Sequence, residues 1–254
     1  MTGTCKLCQN EKKLLKKSHI ISDFLHSALY DEKHRLIKFK PEDLLKEKNK
    51  ISKPPSATYD GGILCGVCDN DIIGAYESYA SKLLTNKLNA KEKITCKESL
   101  TENNEKVVEI SNLNYAKTKL FLLSILWRAS ISKNSDFDNV NLGPYESKLR
   151  DLIYSGNPGK ESDFPITIIQ FEEGSGFSSF IGTLRRHQSD HTSFYSIIIT
   201  GYLIAFHLKE NKDSKQWNKS NLKETGELSL YKLPKDKVAN FVLSYGGAIK
   251  NPKP

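Results

Sequence analysis

The amino-acid sequence predicts an α+β protein, and three features carry this prediction. Two closely spaced cysteine pairs lie near the N-terminus, and residues at helical spacing follow the second pair. A long apolar segment over 115–131 predicts a central helix. Short apolar stretches between 164 and 233 predict antiparallel strands. We therefore expect a cysteine-rich module over 1–90, a polar linker over 91–112 and a helix-plus-antiparallel-sheet domain over 113–254.

Composition narrows the class of protein. The 254 residues include 38 lysines and arginines against 30 aspartates and glutamates, and the net charge of +8 favours an anionic partner such as nucleic acid. Lysines that only contact water explain the same balance equally well. The longest apolar run, Leu120 to Trp127, is far shorter than the roughly 20 residues that cross a bilayer, so no membrane association is expected. Five cysteines, four at metal-type spacing, predict a protein of the reducing cytoplasm.

Four of the five cysteines form two pairs with the same spacing. Cys5 and Cys8 make the first pair, and Cys65 and Cys68 make the second. Two intervening residues allow one backbone turn to direct both sulfurs at a single ion, and two such turns complete a four-thiolate zinc site. A dispersed set of buried thiols is the alternative. We expect a structural Zn²⁺ and a spare thiol at Cys96.

The segments around these pairs define an order of elements. Ser18-His19-Ile20-Ile21 lies between the pairs and is assigned to a hairpin that carries the histidine. Apolar residues recur every three or four positions from Ile72 to Leu83, which predicts a helix after the second pair. The carboxylates of Asp69 and Asp71 fall in its first turn, where the helix dipole favours negative charge.

These residues resemble the HNH endonucleases, also called ββα-metal or treble-clef nucleases, and in particular the zinc-stapled branch that includes phage recombination endonuclease VII. The run Ser-His-Ile-Ile, the segment from Leu29 to Arg35 and the Cys-Asp that ends the second pair also resemble uncharacterised bacterial HNH-type proteins, often of defence type. The resemblance covers about the first third of the chain. It implies an N-terminal zinc-stapled ββα-metal module that hydrolyses DNA, as an antiphage effector with a protein partner in a multi-component system.

The resemblance also implies a role for each candidate residue. The structural zinc would be held by four thiolates, from Cys5, Cys8, Cys65 and Cys68. His19 would be the general base, and Asp69, with Asn70, would bind a catalytic divalent ion, Mg²⁺ or another. Substrate phosphates would be contacted by three cations, Lys16, Lys17 and Arg35. Imidazole accepts a proton near neutral pH, and carboxylate or amide oxygens bind hard cations, so these residue types suit the reaction.

Other interpretations remain open for the same residues. The residue before the histidine is usually acidic in the family, but here it is Ser18, and Ser22 stands where proline is usual. Asp69 is equally suited to cap a helix, and His19 to a core or surface position. A different class of function is therefore a zinc-stapled module that binds nucleic acid or protein without catalysis. A third interpretation is that the C-terminal domain carries the function and the zinc module only docks it to a partner.

The remaining elements are predicted from spacing and turn residues. Helices are expected over 23–30, 41–48, 115–131, 144–154 and 235–245. Strands are expected over 107–110, 164–171, 177–184, 194–207 and 226–233, with a bend at Gly201. The polar run from Arg185 to His191 is interpreted as a turn between two strands, with phosphate or partner binding as the alternative.

Overall fold

The computed structural model describes residues 1–39, 53–174, 179–188, 193–210, 218–234 and 247–249. The N-terminal part contains short strands and two helices, in the order β1 (Thr2–Thr4), β2 (Glu11–Lys13), β3 (Ser18–His19), α1 (Asp23–His26), β4 (Ile37–Phe39), β5 (Tyr59–Asp60) and α2 (Gly74–Leu84). A π-helical segment, Val67–Ile73, leads directly into α2.

The rest of the chain supplies two further helices and most of the sheet. The helices are α3 (Tyr115–Ile131) and α4 (Tyr145–Ser155), with single 3-10 turns at Ser135–Phe137 and Asn218–Ser220. The strands are β6 (Thr95–Leu100), β7 (Lys106–Ser111), β8 (Ile166–Phe171), β9 (Phe180–Gly182), β10 (Arg185–Gln188), β11 (Ser193–Ile199), β12 (Tyr202–His207), β13 (Leu228–Leu233) and β14 (Gly247–Ile249). The predicted α+β class is confirmed in its mixed helix and strand content.

One large sheet joins both ends of the described chain. Its strand order is β4-β14-β9-β11-β12-β8-β13-β7-β6, and β10 also pairs with β11. β13 and β8 run parallel, and the other pairings between described strands are antiparallel. Because β4 precedes the second cysteine pair and pairs with β14 near the C-terminus, the sheet connects the cysteine-rich part to the rest of the fold.

Helix α3 lies at the centre of the core. The Asn114 side chain accepts a hydrogen bond from the Lys117 backbone N–H at 2.9 Å, which caps its first turn. Every residue from Thr118 to Ala129 is buried, so the helix has no solvated face in this stretch. The prediction of a central apolar helix over 115–131 is confirmed in its bounds. One continuous cluster of buried side chains includes Ile20, Ile73, Leu126 and Tyr195, from both sides of the predicted linker.

Several predicted elements differ from those observed. Residues 91–112, expected as a linker, contain β6 and β7, which form a hairpin at the edge of the large sheet. The predicted strand 194–207 is two strands joined at Thr200 and Gly201, whose φ angles of 42° and 91° make the tight turn. Residues 185–188 form β10 rather than a turn, because their backbone pairs with β11.

The helix that contains Asp23 is also shorter than predicted and ends at His26. The predicted helices over 41–48 and 235–245 lie outside the described residues. Among the described helices, none combines the length and hydrophobicity that a bilayer crossing requires.

Candidate functional site

The four paired cysteines meet at one point. The sulfur atoms of Cys5, Cys8, Cys65 and Cys68 all lie within 4.8 Å of one another. Four thiolates around one tetrahedral Zn²⁺, each about 2.3 Å from the ion, would have sulfurs about 3.8 Å apart. The arrangement therefore fits a zinc ion with only a small contraction, and the predicted grouping of these residues is confirmed.

Backbone hydrogen bonds hold the two cysteine turns together. The Lys6 N–H donates to the Ile63 carbonyl at 2.9 Å, and the Leu15 N–H donates to the Leu64 carbonyl at 2.8 Å. Gly61 permits the close approach, because a Cβ atom there would lie 2.6 Å from the Lys16 carbonyl oxygen. After the 56 residues that separate the pairs, the chain therefore comes back beside the first cysteine pair.

The thiols differ in their tendency to ionise. Burial opposes ionisation of Cys5, but backbone N–H groups of Cys8, Cys65 and Leu7 favour its thiolate and bring its pKa down to about 7. Burial raises the pKa of both Cys65 and Cys68. A bound cation would offset this cost, because metal coordination stabilises thiolates.

His19 is half-exposed and lies on β3, which falls between the two cysteine pairs in the sequence. Its strand pairs with β5, so that His19 is opposite Tyr59, and the two rings meet edge to face with centroids 6.1 Å apart. Its Nε2 atom lies 3.7 Å from the Asp23 Oδ1 atom at the start of α1. Asp23 also accepts a 2.5 Å hydrogen bond from the Tyr30 hydroxyl, which fixes the carboxylate near the imidazole.

Tyr30 remains protonated over the physiological pH range. Its burial and the hydrogen bond to Asp23 raise its pKa to about 12, so it acts as a donor to that carboxylate. The Ala57 N–H in turn donates to the Tyr30 oxygen at 3.0 Å. The imidazole of His19 therefore faces a carboxylate that is held by the protein.

Asp69 lies inside the π-helical segment that follows the second cysteine pair. Gly66 is the N-cap of that segment, so Asp69 does not cap it. Burial raises the pKa of its carboxyl group, against the opposing effect of the Arg128 guanidinium. Ser18 and His19 also lie near enough to favour the carboxylate. The Ser18 hydroxyl is fully buried and makes no well-formed hydrogen bond among the described residues.

Arg128 connects this region to the central helix. Its side chain is 2% exposed, and each of its five N–H groups has an acceptor. The Nη1 atom donates to the His19 carbonyl at 2.7 Å and to the Glu77 carboxylate at 2.8 Å. The remaining acceptors lie at 3.2 to 3.4 Å and are Ser124 O, Ser124 Oγ and Ser22 Oγ. The Ser22 hydroxyl donates to the same Glu77 oxygen at 2.5 Å.

The predicted site residues are only partly brought together. His19 and Asp69 share one cluster with Ser18, and Lys17 approaches it, with its Nζ atom 4.6 Å from the centre of the Tyr59 ring. Asn70 and Lys16 are exposed on the surface. Arg35 forms a local ion pair with Asp31 at 3.0 Å.

The sequence reasoning missed the residues that complete the cluster. Arg128 was counted only as part of an apolar helix, and Asp23 and Tyr30 only as part of a short helix. Glu77 falls within the helix predicted after the second cysteine pair, and nothing around it indicates a buried cation as its partner. The position of Arg128 directly after the apolar run from Leu120 to Trp127 was the available signal, because a buried guanidinium requires an anionic partner.

The described geometry thus combines a four-cysteine cluster, a half-exposed histidine with a fixed carboxylate, and a buried arginine. No known protein family, curated protein or solved structure matches this chain.

Proposed function

We propose that the chain is a metal-dependent endonuclease of the HNH type that hydrolyses DNA phosphodiester bonds. The observation that carries the proposal is the meeting of His19 and Asp69 in one cluster beside the four cysteines. These two residues supply the base and the oxygen ligand that phosphodiester hydrolysis requires. The net charge of +8 suits a polyanionic substrate.

The residues of the cluster have distinct tasks in this proposal. His19 accepts a proton from the attacking water, and the Asp23 carboxylate, 3.7 Å from Nε2, stabilises the resulting imidazolium. Asp69 and the neighbouring Ser18 hydroxyl would hold a divalent ion such as Mg²⁺, which supplies charge stabilisation at the phosphate when bound. Lys17, whose Nζ atom lies 4.6 Å from the centre of the Tyr59 ring, would contact a substrate phosphate.

One observation favours a second candidate function. The Glu77 carboxylate is already paired with Arg128 and with the Ser22 hydroxyl, whereas Asp69 has no ion pair with any of the residues that the structure describes. A single carboxylate beside a buried guanidinium attracts a divalent cation weakly. A zinc-stapled module that binds nucleic acid or protein without cleaving it is therefore the alternative.

Cleavage of supercoiled plasmid by the pure protein tests the proposal. We expect nicking that requires Mg²⁺, Mn²⁺ or Ni²⁺, and a loss of about 100-fold or more in rate for His19→Ala, with DNA affinity and zinc content retained. Lys97→Ala is the control, because Lys97 is exposed on β6, at the edge of the large sheet opposite β4. This variant should cleave at the normal rate.

The pattern of outcomes separates the two functions. Cleavage that survives in His19→Ala removes His19 from the mechanism. If no divalent ion supports cleavage while the protein binds DNA with its zinc intact, the binding module replaces the nuclease as the better account.

A further inference from the structure

A cavity lies between the helices and the large sheet, and His19 is not among its lining residues. Its volume is about 360 Å³, within the roughly 300 to 1,000 Å³ range of small-molecule sites. Helices α2 and α3 form one wall, and strands β7, β8, β12 and β13 form the other. The lining is mainly aliphatic and aromatic, with side chains such as Leu83, Phe121, Leu122, Ile110 and Ile204.

The cavity is open where the sheet extends beyond the helices. The edge strand of the sheet, β6, is exposed along its whole length. Two of its residues, Cys96 and Glu98, line the cavity. Leu84, at the end of α2, is 49% exposed at the same rim. A small molecule therefore has a path from solvent to the apolar interior.

Uncharged polar groups inside the cavity lack partners. Thr118 is 8% exposed, and its Oγ1 atom makes no hydrogen bond among the described residues. Leaving a buried hydroxyl without a hydrogen bond is unfavourable, and a bound partner would remove that cost. The Tyr202 hydroxyl also has no hydrogen bond to a described residue, and burial raises its pKa, so it remains a donor at neutral pH.

Two of the three charged groups at the rim are paired with each other. Lys232 donates to the Glu98 carboxylate at 2.8 Å, and its side chain is 15% exposed. The neighbouring Glu173 adds a second acidic group, so the rim offers no surplus positive charge to a carboxylate or phosphate. The rim therefore disfavours an anionic ligand, and the apolar interior disfavours a buried charge of either sign.

We propose that this cavity binds a small neutral amphiphile, with an apolar chain or ring between α3 and the sheet and one hydroxyl or carbonyl group bonded to Thr118. This site is independent of the proposed nuclease activity. The apolar body buries against Phe121 and Leu122, and the polar group satisfies the Thr118 hydroxyl. Specificity comes from that hydrogen bond and from the apolar interior of the cavity, because the described charged lining residues, Glu98, Glu173 and Lys232, lie at the rim.

Methyl NMR with 1-decanol, below its solubility limit, tests the proposal. We expect saturable binding of one molecule per chain, with shifts confined to cavity methyl groups such as those of Ile110 and Leu122. Sodium decanoate and decylamine, with similar chains and opposite charges, should bind at least about 10-fold more weakly, since burying a charge without a partner is unfavourable.

Two variants make the test specific. Thr118→Val keeps the shape of the side chain and removes its hydroxyl, so it should weaken 1-decanol binding about 10-fold without loss of fold. Ile110→Trp fills the cavity and should abolish binding. Thr95→Val, on the other face of the same edge strand as Cys96, is the control and should bind normally.

Three results would overturn the proposal. These are an absence of saturable binding, binding that neither Thr118→Val nor Ile110→Trp weakens, and tighter binding of decanoate or decylamine than of 1-decanol. If plasmid cleavage fails but 1-decanol binds as expected, the cavity proposal stands without the nuclease.

Discussion

The ion pair between Arg128 and Glu77 offers the sharpest test of how the candidate site is held together. Glu77→Gln removes the negative charge and keeps the size of the side chain, so the buried guanidinium loses its only ion-pair partner among the described residues. Breaking a buried pair in this way costs about 3 to 5 kcal/mol. Because the Glu77 side chain is 26% exposed and water can reach it, we expect a loss near 3 kcal/mol in the free energy of unfolding.

Arg128→Met removes the opposite partner. The His19 carbonyl and the Ser22 hydroxyl then lose their donor, and we expect a loss of about 2 kcal/mol or more. In the double variant neither charge remains, so the two losses should not add. The coupling energy from the cycle should be about 2 kcal/mol.

Urea unfolding followed by tryptophan fluorescence measures these losses. Trp127 is 1% exposed and adjacent to Arg128, so its emission reports on this part of the core. Glu92→Gln is the control, because the Glu92 ion pair with Lys117 lies at the surface and should contribute less than about 1 kcal/mol. The reasoning fails if Glu77→Gln costs no more than Glu92→Gln, or if the two single losses add in the double variant.

Three further predictions concern other parts of the chain. Elemental analysis should find about one zinc per chain. The Cys65→Ser variant should lose this zinc together with much of the N-terminal structure, whereas Cys96→Ser, which changes an exposed thiol, should keep it. Equal zinc content in the two variants would contradict a zinc site at the four cysteines. Ser18→Asp places a second carboxylate beside Asp69 in a fully buried position, so the folded protein should lose a few kcal/mol of stability without divalent ions. Thermal unfolding should show that Mn²⁺ restores this stability. A loss of stability that Mn²⁺ does not change would argue against an ion site at these residues. Burial lowers the pKa of Lys119 from 10.5 to about 8. Between these pH values the unfolded chain binds more protons than the folded chain, so the free energy of unfolding should rise with pH, by up to about 3 kcal/mol relative to Lys119→Met. If urea unfolding shows the same difference between the two proteins at every pH from 7 to 10, this prediction is wrong.

The elements that could be predicted from the sequence depend on short-range patterns. The pairing of Cys5 with Cys8 and of Cys65 with Cys68 is visible because the motif itself brings the sulfurs together. Helix α3 is visible because it contains the nearly continuous apolar run from Leu120 to Trp127. Both predictions required only local geometry and the burial of apolar residues.

The elements that could not be predicted depend on packing between distant segments. Strand β6 has six exposed residues, so it lacks the alternation of apolar and polar residues that marks a half-buried strand. The partners of Arg128 lie 51 and 109 positions away in the chain, and no pattern around Arg128 specifies them. The contribution of this arginine to the candidate site appears only when α3 is packed against β3 and α2.

The distance of 109 positions between His19 and Arg128 has a consequence during synthesis of the chain. At about 5 to 20 residues per second, a ribosome needs roughly 5 to 20 seconds to advance from one to the other. Cys68, the last of the paired cysteines, is added 60 positions before Arg128. For about the last 3 to 12 seconds of this interval all four thiols are therefore present and can bind metal, while Glu77 still lacks its Arg128 partner. The thiol cluster is therefore expected to form co-translationally, whereas the surroundings of His19 become complete only when α3 leaves the ribosome.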